Sequence, residues 1–278
     1  MRVSPDPYRS KAVASRRSVL DVSVLGRVDV RVDGRRLRTG RAKSVELLVY
    51  LVMQQGGADA DQLWEALWPD RPMSPAVLHT TVSVARRSLR ESAEQPPLVS
   101  DARDGRLYHL AGPFQLDWDR FVQLAAAGRG RRPASAEALA LGAALDLVRG
   151  APFTTSARGA YDWARSERTE IEAAIGSVAE RLGQLRLERG DVIGARQAAR
   201  RGLRGAPYDE RLYRLLMQAA HASDHPGGVE SVMHELVTLL GVELDDTEWQ
   251  TRDLYQQLRR GRQGGARSLM RKPSWLTP

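Results

Sequence analysis

The chain has 278 residues, a net charge of +8 and 42% apolar residues, enough to bury real cores and suited to two domains. It contains no cysteine, which excludes disulfides, thiol catalysis and cysteine-based zinc sites and fits a reducing interior. The longest apolar run, Leu47 to Met53, is far too short to span a bilayer, and no apolar stretch follows the basic N-terminus as a signal peptide requires. The expectation is a cytoplasmic protein without a membrane segment.

Residues 1–18 lack periodicity and carry Pro, Ser and Arg, so they read as a disordered basic arm. From residue 19 the pattern turns β. Leu20, Val22 and Val24 alternate with polar or small residues, as do Val28, Val30 and Val32, with Gly26 between the runs. Asp33-Gly34 is a strong hairpin signal, with Arg35 to Leu37 returning. Residues 41–55 predict a helix with Val45, Leu48, Leu51 and Val52 on one face, ended by Gly56-Gly57. Residues 59–67 predict a short second helix, with Leu63, Trp64 and Leu67 as its apolar side and Trp68-Pro69-Asp70 as its end.

Met73 to Glu91 then reads as one amphipathic helix. Ser74 is a good N-cap residue, and Pro75 suits the first helical position because its missing N–H costs nothing there. Leu78, Val82, Ala85 and Leu89 form the apolar stripe. Thr80, Ser83 and Arg87 gather on the opposite face, with His79, Arg86 and Arg90 on one flank and Val84 on the other. Short polar groups let a helix sink into a major groove, where arginine can grip guanine edges or phosphates. Pro96-Pro97 break the chain. Leu98 to Ser100 and Arg106 to Leu110 predict a second hairpin around Asp104-Gly105, with Arg103 and Arg106 at its tip. Strands, helix, helix, polar-faced helix and basic-tipped hairpin make the order of a winged helix-turn-helix over residues 19–112.

Residues 111–116 are expected as a hinge, and everything beyond is helical. Breaks at Gly128–Pro133, Gly150-Ala151-Pro152, Gly190, Pro207, Pro226-Gly227 and Gly241 separate apolar-spaced segments from Asp117 to Arg260, including one from Tyr161 to Glu188. Gly176 to Asp209 fits the roughly 34-residue template of a tetratricopeptide repeat. Leu182-Gly183 allow close packing, Gly190-Asp191 make the turn, Ala195, Ala199 and Gly202 are the small residues of the second helix, and Pro207 closes the unit. A weaker copy starts at Glu210, with Val229 where a small residue is usual. Such pairs stack and offer a concave surface, which more often holds partners than merely stabilises a bundle. Residues 261–278 read as a flexible Gly/Arg tail. The fold class is therefore mainly α and multidomain: a small α+β winged helix-turn-helix domain, then an all-α tetratricopeptide-like domain over residues 117–260.

The positive charge leans toward the N-terminal part: residues 1–116 hold 18 basic and 13 acidic side chains, residues 117–278 hold 24 and 21. A basic balance suits a polyanionic partner. The chain carries no phosphate-binding glycine loop, no dinucleotide fingerprint and no nucleophile elbow. His221 and His225, with His234 nearby, sit at a predicted turn where exposed polar residues are the default. No enzyme, catalytic residue, metal or cofactor is expected.

A winged helix followed by a tetratricopeptide-like domain resembles the Streptomyces antibiotic regulatory protein family, in which an OmpR-type DNA-binding domain precedes a bacterial transcriptional activator domain. Ala66 to Asp70 look like the family's segment before the recognition helix. Leu78 to Ser83, Arg86-Arg87 and Leu89 are similar to that helix itself. Arg149 to Phe153 and Tyr161 to Ala164 resemble the early activator domain, and Gly241 to Leu244 its late turn. The resemblance implies binding of double-stranded promoter DNA and activation through RNA polymerase. His79, Thr80, Ser83 and Arg87 are the expected base contacts, and Arg86, Arg90, Arg103 and Arg106 the expected phosphate contacts. The helical domain is expected to mediate homodimerisation or polymerase contact. Val84 and Ala85 depart from the family, which usually has a basic residue and Leu there. They motivate the alternative, an interaction scaffold whose winged helix no longer reads DNA.

Overall fold

The computed structural model describes residues 18–93, 98–101, 107–128, 133–157, 159–224 and 227–269. The basic arm of residues 1–17, the hairpin tip with Arg103 and Arg106, and His225 lie outside them. Two compact units emerge, one of residues 1–22 and 29–115, the other of residues 23–28 and 116–278.

In the first unit, β1 (Leu20–Ser23), β2 (Asp29–Val32), β3 (Arg35–Arg36) and β6 (Phe114–Leu116) form a sheet in the order β3-β2-β1-β6. Leu20 and Val22 of β1, like Val30 and Val32 of β2, alternate inward and are at most 4% exposed. The Asp33-Gly34 turn joins β2 to β3, with Val32 paired to Arg35. Both turn residues have positive φ, 49° and 78°, the backbone that a two-residue hairpin of native twist requires. Residues 111–116, expected as a hinge, instead supply β6: Leu20 N donates to Pro113 O at 3.1 Å.

Helices α1 (Ala42–Met53), α2 (Ala60–Leu67) and α3 (Pro75–Ser92) follow, then β4 (Leu98–Asp101) antiparallel to β5 (Tyr108–Ala111). Gly57 turns the chain out of α1 at φ +85°, and an added Cβ there would lie 2.8 Å from Tyr108 O. That closeness lets Ala58 and Tyr108 exchange backbone hydrogen bonds at 2.9 and 2.8 Å. A capping box starts α2: Asp59 accepts from Gln62 N, and the Gln62 side chain accepts from Asp59 N. Trp64 and Trp68 stack at 4.7 Å where α2 ends.

The second unit comprises α4 (Asp117–Gly128), α5 (Ala134–Leu145), α6 (Arg165–Leu187), α7 (Val192–Gly205), α8 (Glu210–Ala222), α9 (Gly228–Leu240) and α10 (Trp249–Leu269). Its packing follows its small residues. A Cβ on Gly183 would come within 2.1 Å of Leu215 Cδ2, and one on Gly202 within 2.5 Å of Ala179 Cβ. These absences let α6 approach α8 and α7 approach α6. Gly190 turns at φ +74°, and Asp191 caps α7 by accepting from Gly194 N at 2.8 Å. The helix expected from Tyr161 begins only at Arg165. Tyr161 sits in the left-handed region at φ 64°, followed by a 3₁₀ turn over Asp162–Ala164. Rings of Phe153, Tyr161 and Trp163 meet at 5.9 to 6.2 Å and hold this corner. At the other end, α10 runs through Leu269, into the stretch expected to be a tail.

Residues 23–28 thread into this helical unit. Asp117 accepts from Val24 N at 2.8 Å, from Leu25 N at 3.1 Å and from Arg149 at 3.0 Å. Arg149 N donates to Leu25 O, Phe153 N to Val24 O and Thr154 N to Gly26 O, all within 3.0 Å. Gly26, at φ +143°, passes so near that a Cβ would meet Gly150 N at 3.0 Å. Burial pushes the Asp117 carboxyl above the usual aspartate range, against the lowering pull of its three donors.

Candidate nucleic-acid interface

The site is built on α3, so what fixes that helix comes first. Leu78, Val82, Ala85 and Leu89 are at most 2% exposed, the stripe its periodicity predicts. Buried polar groups add registry: Ser44 of α1 donates its hydroxyl to Thr81 O at 3.0 Å, and Thr81 itself donates to Val77 O. A buried hydroxyl with a partner positions the helix along its axis as well as against its neighbour. Lys43 of α1 bonds Leu67 O at the end of α2, pairs with the buried Glu46 at 2.8 Å and lies 5.9 Å from the Trp68 ring centre. The turn ahead of α3 is pinned by Trp64 Nε1, which donates to Arg71 O at 2.8 Å. Ser74 stands at the N-cap position, yet its side chain makes no capping bond, and Pro75 follows it.

The solvent face of α3 carries most of the expected contacts. His79, Thr80, Ser83, Arg87 and Arg90 are exposed. Arg87 and Arg90 have no ion-pair or hydrogen-bond partner among the described residues. Thr80 donates its hydroxyl proton to Ala76 O at 2.7 Å, which leaves its oxygen as an acceptor toward solvent. Arg86 differs from its neighbours: it is half-buried, and its Nε donates to Val99 O of β4 at 2.8 Å. It therefore ties the hairpin strand to the helix. Arg103 and Arg106 lie outside the described residues. One position escaped the sequence reading. Ala76 is exposed and, at about 100° per residue, falls on the face of Thr80, Ser83 and Arg87. Its methyl suits a thymine methyl. The signal was present in the spacing, but a small apolar residue does not announce a contact.

Residues 116–259, just over half of the chain, match the bacterial transcriptional activator domain. The chain belongs to that family. The activator domain is thus preceded by a winged helix, the arrangement expected of Streptomyces antibiotic regulatory proteins, and the family is one of transcriptional regulators rather than of enzymes. Among solved structures the fold is similar to Mycobacterium tuberculosis EmbR, in complex with a low affinity phosphopeptide. The TM-score is 0.63 and the identity 24%, over 88% of this chain and 66% of that one. The chain therefore spans slightly under two thirds of the EmbR chain. No curated protein matches. Among the described residues no helix is long and apolar enough to cross a membrane.

Proposed function

We propose that the chain is a cytoplasmic transcriptional activator that binds double-stranded promoter DNA by seating α3 in the major groove. What carries the reading is the exposed face of α3. Two guanidiniums without a partner among the described residues, Arg87 and Arg90, stand beside the small side chains Ala76, Thr80 and Ser83. An unpaired arginine on a helix held rigidly from behind is preorganised for a guanine edge or a phosphate. Thr80, Ser83 and Arg87 read bases, with His79 at the groove edge. Arg86, Arg90, Arg103 and Arg106 take phosphates. The activator domain contacts RNA polymerase or a second copy of the chain through its stacked helices.

The test is selection of bound duplexes from a random pool at about 150 mM salt, where nonspecific phosphate attraction is already much weakened. An enriched motif is the expected outcome. Binding that enriches nothing and vanishes as salt rises would refute the reading.

A further inference from the structure

A cavity of about 570 Å³ lies within the first unit, between the basic β3 segment and the last turn of α3. Arg35, Arg36 and Arg38 line one side, and Ser88, Glu91 and Ser92 the other. Its size falls within the usual range for small-molecule sites. Among the described residues three guanidiniums face one carboxylate, and their charge is only partly answered. Arg36 pairs with Asp29 at 3.1 Å, whereas Arg35 and Arg38 have no partner among the described residues. Like charges gathered round an open cavity repel one another, and an anion relieves the repulsion.

The helix side of the cavity adds a hydroxyl donor. Thr80, Thr81 and Ser92 each donate their hydroxyl to a carbonyl of α3, at 2.6 to 2.9 Å. Ser88 does not. It is 7% exposed, it lines the cavity, and its hydroxyl has no hydrogen bond among the described residues. Its oxygen is not one of the buried, unpartnered polar atoms, so it is open to the cavity and can donate to a ligand there. A simpler account has the arginines offsetting the negative end of the α3 dipole. None of the three donates to an α3 carbonyl among the described residues, and Ser92 already serves Leu89 O.

We infer that this cavity binds a small polyphosphate, held by Arg35, Arg36 and Arg38 and by the Ser88 hydroxyl. Guanidinium forks match phosphoryl oxygens with two parallel hydrogen bonds. Among the described residues the lining holds no aromatic ring, so the phosphates, not a nucleobase, are what is recognised. Nor is this the base-reading face. Ser88, Glu91 and Ser92 sit on average about 100° round α3 from Thr80, Ser83 and Arg87.

Calorimetric titration of inorganic tripolyphosphate into the whole chain, at about 150 mM salt, tests this. One saturable site per chain is expected. R35Q/R38Q should weaken it at least about tenfold and S88A several-fold. R87Q/R90Q removes the same charge from the other face of α3 and should leave it unchanged. The variants change solvent-facing or cavity-lining groups, and circular dichroism checks that they fold. A heat that never saturates, or equal losses in R35Q/R38Q and R87Q/R90Q, overturns the inference. So does a loss of duplex DNA affinity in R35Q/R38Q that matches its loss of tripolyphosphate, because the arginines then serve a DNA backbone. The titration needs no DNA, so its result stands apart from the operator selection.

Discussion

Arg86, Arg87 and Arg90 stand within five positions on one helix, yet their surroundings assign them different work. Arg86 is committed to Val99 O, so Arg86→Ala should loosen the hairpin strand as well as remove charge. Arg87 and Arg90 are free among the described residues, and the proposed function gives a base to Arg87 and a phosphate to Arg90. Arg87→Ala is expected to relax base preference at one operator position, a discrimination of about 1–3 kcal/mol for a bidentate contact. Arg90→Ala is expected to weaken all duplexes alike and to reduce the salt slope by about one. Affinities for selected and scrambled duplexes across a salt series tell them apart. Equal losses on both duplexes for Arg87→Ala would remove its base-reading role. Charge pattern alone located the arginines, but it could not see that Arg86 faces a strand whose carbonyl arrives only through the tertiary fold.

At the scale of elements, glycine shows how packing overrides propensity. Gly142 and Gly202 both lie inside helices, α5 and α7. A Cβ on Gly142 meets nothing within 4 Å, whereas one on Gly202 meets Ala179 Cβ at 2.5 Å and Leu212 Cδ1 at 2.7 Å. Alanine lowers the entropy of the unfolded chain in both cases. Gly142→Ala should therefore stabilise by roughly 0.4–1 kcal/mol. Gly202→Ala should destabilise by roughly 1–3 kcal/mol, because the methyl of Ala179 cannot rotate away and the helices must part. Urea midpoints at unchanged slope measure both, and a stabilised Gly202→Ala would show that α6 and α7 are looser than drawn. The repeat template found Gly183 and Gly202 in the sequence because close-packed helix pairs leave small residues at fixed spacing. The same logic found the Asp33-Gly34 hairpin. Periodicity failed at Tyr161, where apolar spacing suggested a helix but the contacts of Phe153, Tyr161 and Trp163 hold a left-handed corner instead.

Over the whole molecule, the least legible feature was where the chain divides. Composition and breaks put a single boundary near residues 112–117, but the second unit also takes residues 23–28. No local pattern marks this, because the partners of Val24 and Leu25 are an aspartate more than ninety positions away. A fragment cut at residue 116 therefore loses two of the three donors of Asp117, Val24 N and Leu25 N, and the acceptors of Arg149 N, Phe153 N and Thr154 N. Those three amides should be protected from hydrogen exchange in the whole chain and exchange quickly in a 116–269 fragment. Supplying residues 20–28 as a peptide should restore protection, and equal protection in both forms would mean that the thread is dispensable. Asp117 also carries a pH signature. Its folded pKa is raised by burial, so over the interval between the unfolded and folded values the native state holds the extra proton. Stability from this group is then highest below that interval and falls as pH rises through it. Asp117→Asn removes the titration and leaves one carbonyl oxygen for three donors, at a cost of about 1–3 kcal/mol. The expected record is a wild-type stability curve that declines across that interval relative to the variant. A difference that instead grows as pH rises through that interval would mean the three donors, not burial, set the carboxyl's proton affinity.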